Sequence, residues 1–131
     1  MSLEVKYSGG FKFLLNCRGH EVVSDQPASQ GGGDEGMTPP ELFAGALGAC
    51  IGVYVVNFCQ NHGIPTDNME IKVSWRKHED PKRIGEIDVK ILLPNLDEKL
   101  RKPILKVAES CLIHRTIQNS PQVRINLNLT R

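Results

Sequence analysis

Seventeen consecutive residues, Leu42 to Phe58 (LFAGALGACIGVYVVNF), carry no charged side chain. Few folds accommodate such a segment. It lies at the lower edge of the ~17–25 residues that cross a bilayer, yet no basic or aromatic anchors flank it, and Gln60, Asn61 and His62 follow closely. A segment apolar on all sides, with no such anchors, is expected to be a central helix enclosed by protein. Its start is written in Thr38-Pro39-Pro40-Glu41: Thr at N-cap, Pro at the first helical position and Glu at N3 form a capping box. Gly63 and Pro65 are expected to stop it near His62. Ala44, Gly48 and Gly52 recur at every fourth position and give the helix a smooth face. Close packing there would offset the ~1 kcal/mol that each interior glycine costs.

The chain of 131 residues has the size of a single domain, residues 1–131, with no repeat, low-complexity tract or linker to divide it. A chain of this length buries roughly two-thirds of its unfolded surface and needs no disulfide or metal staple. Sixteen basic and fifteen acidic side chains leave a net charge of +1. That balance argues against nucleic acid or an anionic membrane as partner, since both demand a dominant basic surface. The halves differ: residues 1–65 hold three basic and six acidic side chains, and residues 66–131 hold thirteen and nine. The basic residues are interspersed with carboxylates, as on a solvated surface. The opening MSLEVKYSGG lacks a basic stretch followed by an apolar one, so a cytoplasmic location is expected, where thiols stay reduced.

Short strands are expected at residues 3–8, 11–16 and 19–24, the first two joined at Gly9-Gly10. A loop with three consecutive glycines, 31–33, leads into the long helix. Alternating residues predict strands at 69–77 and 84–92, and a last one at 122–130 (QVRINLNLT). Between them, Asp97 opens a second helical stretch closed by Ser120-Pro121, with Pro103 expected to delay its start. Strands grouped between helices make the fold α+β.

Four cysteines, Cys17, Cys50, Cys59 and Cys111, are too irregularly spaced for a disulfide framework or a CxxC motif. Each is either a small core hydrophobe or a reactive thiol. Cys59 falls nine residues after Cys50, on the opposite face of the helix at ~100° per residue, so those two cannot pair. Two Cys-x-x-His spacings, Cys59–His62 and Cys111–His114, would together supply a Cys₂His₂ zinc set. The plainer reading is preferred: His62 suits the negative end of the first helix, and His114 is expected to be a surface or hydrogen-bonding histidine.

The run DQP…GGGDEGMTPPELFAGALGAC, followed later by ESCLIHRTI, resembles the OsmC/Ohr family, the osmotically induced and organic-hydroperoxide-resistance proteins. The resemblance begins near Gly10 and covers most of the chain. It implies an OsmC-like fold in which curved antiparallel sheets wrap long central helices in an intertwined homodimer. It also implies a thiol peroxidase with no metal, flavin or other cofactor. Cys50 would attack an organic hydroperoxide and become a sulfenic acid; Cys111 would condense with it, and an external dithiol would reduce the disulfide. Ser110 is expected to cap a short helix starting at Cys111, which would make Cys111 the better resolving thiol.

A free thiol of pKa ~8.5 is only a few per cent thiolate at neutral pH. Burial disfavours the charge further, and the dipole of the first helix fades within a turn, well short of Cys50. A nearby cation is required, and Arg18 in CRGHEVVSDQP is the candidate, matching the family's N-terminal arginine. The family's glutamate ten residues before the first cysteine is here Pro40, with Glu41 beside it assigned to the capping box. Leu112 stands where proline often follows the second cysteine. The leading alternative is therefore a non-enzymatic OsmC-fold stress, redox-sensing or small-molecule-binding protein.

Overall fold

The structure is a computed structural model that describes residues 1–130. Backbone contacts divide the chain into two compact units, Met1–Ala46 with Val73–Asp88, and Leu47–Lys72 with Val89–Arg131.

In the first unit, β1 (Glu4–Tyr7), β2 (Phe13–Cys17) and β3 (His20–Ser24) form an antiparallel sheet in that order. Val5 faces Leu15, which in turn faces Val22. Gly9 and Gly10, both left-handed, turn β1 into β2. The β2–β3 turn consists of Arg18 and Gly19 alone, with φ of 51° and 81°. Positive φ at both central residues is the tight hairpin turn whose twist suits flanking strands.

Asp25 organises the loop that follows. Its side chain is buried, and its carboxylate accepts from the backbone N–H groups of Gln26 (2.7 Å) and Glu35 (3.1 Å). The Gln26 N–H, foremost, holds its pKa below the ordinary carboxylate value against the opposing effect of burial. Gly32 lies so close to the Gln26 carbonyl that a Cβ there would collide with it. The glycines predicted to forbid regular structure thus let a compact loop close around one carboxylate.

The capping box forms as read. The Thr38 N–H donates to Glu41 Oε1 at 2.7 Å and the Glu41 N–H to Thr38 Oγ1 at 3.4 Å. Helix α1 spans Pro39–Asn61, and left-handed Gly63 follows it while the Ile64 N–H returns to the Cys59 carbonyl at 2.9 Å. Ala44, Leu47, Ile51, Val55 and Cys59 make one buried stripe along the helix. Gly52 is buried too, with Ile71 Cδ1 at 3.2 Å from where its Cβ would be, so the close approach is made by a side chain.

The expected enclosure is incomplete. By length and composition α1 could cross a membrane, and 33% of its apolar window is buried. Gly45, Ala46, Ala49 and Val53 remain exposed. One short chain covers one side of this helix.

β4 (Glu70–His78) and β5 (Arg83–Leu92) form a second, two-stranded sheet. Glu86 joins Arg76 at 2.6 Å and His78 at 2.8 Å across the pair. Asp97 then accepts the Lys99 N–H at 3.0 Å and starts a 3₁₀ turn, Glu98–Leu100; α2 (Arg101–Glu109) follows, with Pro103 in its first turn. There the missing N–H costs nothing, because first-turn donors have no helical partner. Ser110 ends α2, Cys111 intervenes, and α3 runs from Leu112 to Gln118.

The strand expected at 122–130 is not formed. Its alternation is intact, but it meets no other strand among the described residues, and Val123, Ile125, Leu127 and Leu129 are 74–92% exposed. Strand structure requires a partner edge as well as a pattern.

Candidate active site

Cys50 lies on α1 and Cys111 at the start of α3, both within the second unit, 61 residues apart in sequence. The fold brings the two thiols near each other, close enough for the Cys50 sulfur to oppose charge on Cys111. Both are free thiols in this structure, as are Cys17 and Cys59.

Their environments differ. Cys50 is half-buried and Cys111 fully buried, at 0% exposure. Burial, above all, pushes the Cys111 thiol above its ordinary pKa; the His114 N–H draws it partly back, and the adjacent Cys50 sulfur opposes a second negative charge. The thiol that solvent can reach is Cys50.

Cys111 is itself the N-cap of α3. Its backbone is extended (φ −61°, ψ 144°), and Sγ accepts the His114 N–H at 3.2 Å. The expectation that Ser110 would cap this helix is corrected: the Ser110 hydroxyl donates backward to the Lys106 carbonyl at 3.0 Å and closes α2. The start of α3 does not dominate the Cys111 thiol: the N–H acts to lower its pKa, but burial outweighs it.

Arg18 is exposed at the tip of the β2–β3 hairpin, in the first unit, and takes part in no ion pair among the described residues. Cys59 is buried on the far side of α1, its pKa pushed up by desolvation. Cys17 ends β2, its thiol donating to the Ser2 carbonyl at 3.5 Å. Glu41 is committed to the Thr38 cap, whose N–H and hydroxyl hold its pKa below the ordinary value. Among the described residues no group of three His, Cys, Asp or Glu side chains is placed to hold a metal ion. In both Cys-x-x-His segments the histidine Nδ1–H donates to a backbone carbonyl: His62 to Phe58 at 2.8 Å and His114 to Glu109 at 2.7 Å.

One residue escaped the sequence reading. Asp25 looked like one of several loop carboxylates, and only its burial distinguishes it. The bond from the His114 ring to Glu109 had no signal beyond the spacing itself, which is shared with zinc sites.

The fold has counterparts. Residues 31–126 match the family described as OsmC-like protein. A putative osmotic stress induced and detoxification response protein from Psychrobacter arcticus superposes with a TM-score of 0.81 at 22% identity, covering 88% of this chain and 87% of that one. A hypothetical protein from Aquifex aeolicus gives 0.75 at 22% identity, over 91% and 87%. The organic hydroperoxide resistance protein OhrB of Bacillus subtilis gives 0.65 at 23% identity, over 92% and 93%. No curated protein matches the chain. At these identities the structures speak for the fold, and with the family match over residues 31–126 this chain belongs to the OsmC/Ohr family as a diverged member.

Proposed function

We propose that this protein is a thiol peroxidase that reduces organic hydroperoxides. The observation that carries the reading is a half-buried Cys50 placed near a fully buried Cys111. In the first step the Cys50 thiolate attacks the distal peroxide oxygen and the O–O bond breaks. The alkoxide takes a proton and leaves as alcohol, and Cys50 becomes a sulfenic acid. Cys111 then attacks that sulfur, the hydroxyl leaves as water with the Cys111 proton, and the disulfide forms. An external dithiol restores both thiols and is itself oxidised. Arg18, the match to the family's N-terminal arginine, is proposed as the cation that favours the attacking thiolate, since a guanidinium stays charged throughout the working pH range.

The working form is proposed to be a homodimer. The open apolar face of α1 around Ala49 and Val53, and the unpaired alternating segment 122–130, are the surfaces a second copy would cover. Contiguous apolar surface of this kind is unusual on a monomer. The alternative, a binding or sensing protein without turnover, is favoured by one observation: with Pro40 in the family's glutamate position and Glu41 held by Thr38, no carboxylate there is free to hold an arginine. A loosely held arginine loses preorganisation and therefore rate.

Mass spectrometry after one equivalent of organic hydroperoxide distinguishes the two. Wild type should gain a Cys50–Cys111 disulfide, Cys50→Ser should lose all turnover, and Cys111→Ser should stop at the sulfenic acid. Arg18→Ala should slow the first step. A Cys50 that stays reduced in folded wild type would overturn the peroxidase reading.

A further inference from the structure

We propose that His114 is a positioning residue for Cys111, clamping the α2–α3 corner so that the buried sulfur stays aligned for disulfide closure; the proposal rests on the thiol chemistry above. Helix α2 ends at Glu109 and α3 begins at Leu112, so Ser110 and Cys111 alone make the corner. A two-residue corner between short helices is a natural hinge.

His114 closes it with two bonds. Its backbone N–H donates to Cys111 Sγ at 3.2 Å, and its ring Nδ1–H donates to the Glu109 carbonyl at 2.7 Å. The first bond needs no particular side chain. The second does, and it reaches back five residues, tying the first turn of α3 to the last residue of α2. Other bonds here stay local: Ser110 closes α2 onto Lys106, and the Arg115 N–H donates to the Cys111 carbonyl at 3.0 Å within α3. The Cys111 N–H returns to Ala108 at a longer 3.3 Å. The His114 ring is thus the side-chain brace around the resolving sulfur.

Bracing matters because disulfide closure is a proximity-controlled step. It demands Cβ atoms about 3.5–4.5 Å apart, and a displacement of about 1 Å can cost ~10²-fold in rate. The clamp does not require His114 to gain or lose a proton. Nδ1–H donates from the neutral tautomer and from the protonated ring alike. That separates positioning from acid–base catalysis, which would bend the pH profile through the histidine range.

The test compares full-length His114→Leu, which lacks the donor, with His114→Asn, whose amide nitrogen stands near the place of Nδ1. Each reduced protein meets one equivalent of cumene hydroperoxide, with and without a sulfenic-acid trap, and is read by mass spectrometry over time. His114→Leu should oxidise Cys50 at the wild-type rate but close the disulfide about ten-fold more slowly, with trapped sulfenic acid accumulating. His114→Asn should close within about two-fold of wild type, and the ratio of wild type to His114→Leu should stay constant from about pH 5.5 to 8. Wild-type closure in His114→Leu, equally slow closure in both variants, or a ratio that titrates would each overturn the clamp. Should wild-type Cys50 resist the hydroperoxide, the peroxidase reading fails separately. Closure is then driven by diamide, which takes the two electrons and protons of the dithiol, with the same expectations for the variants. If His114→Leu does not fold, His114→Gln, whose longer amide places its donor elsewhere, should close slowly; wild-type closure there would overturn the proposal.

Discussion

Cys59–His62 and Cys111–His114 share one spacing and stand at opposite ends of helices. Cys59 is in the last turn of α1, where the N–H groups are already spent on earlier carbonyls, so its sulfur finds no donor among the described residues and serves as a small core hydrophobe. Cys111 precedes the first turn of α3, where N–H groups lack partners, and its sulfur accepts one of them. The histidines behave alike, each returning Nδ1–H to a carbonyl, and His62 additionally stacks on Phe58 with ring centroids 4.1 Å apart. Helix polarity decides which cysteine of the two pairs acquires a polar role. A spacing motif does not carry that information.

The comparison is broken most severely by putting serine at both sites in reduced protein. Cys59→Ser buries a hydroxyl where the sulfur had no polar partner and should cost about 2 kcal/mol. Cys111→Ser places a preferred N-cap on the same N–H and should stay within about 1 kcal/mol of wild type. Urea denaturation measures both, and equal losses would mean that the Cys111 cap is incidental.

Alkaline stability sharpens it. Desolvation raises both thiols in the folded state, and Cys111 feels the opposing His114 N–H as well as Cys50. Raised acids bind their protons more tightly when folded. Their contribution is full below the unfolded thiol value, about 8.5, and is lost as pH rises through the higher folded values. Melting temperature should fall as pH rises above about 8.5, and each serine variant should remove part of that fall. A pH-independent Cys59→Ser difference from wild type would contradict the burial argument.

The smallest expected effect is none. With both histidine Nδ1 atoms committed to carbonyls, a chelator should leave the melting temperature of purified protein unchanged. A drop would show that at least one Cys-x-x-His pair holds metal.

Local chemistry was legible wherever neighbours in sequence are the whole cause. The Thr38–Glu41 box, the stop at Gly63, the alternation of β4 and β5, and the Asp97 start all follow from residues within a turn of each other. The motif order of the two cysteines pointed to the family for the same reason. The cap of α3 was misassigned by one residue, from Ser110 to Cys111, because hydroxyls are the habitual caps and nothing local announced that a thiol would serve.

Through its apolar run and caps, the sequence by itself determined that a long α1 exists and where it begins and ends. Only the tertiary structure decided which face of α1 is covered, that Asp25 rather than a neighbouring carboxylate holds the glycine loop, and that Cys50 and Cys111 meet with unequal burial. It also decided that residues 122–130, patterned as a strand, find no edge among the described residues. The reason is the range of the forces involved. Caps and turns are hydrogen bonds between near neighbours, whereas burial and strand pairing depend on which distant segments arrive alongside.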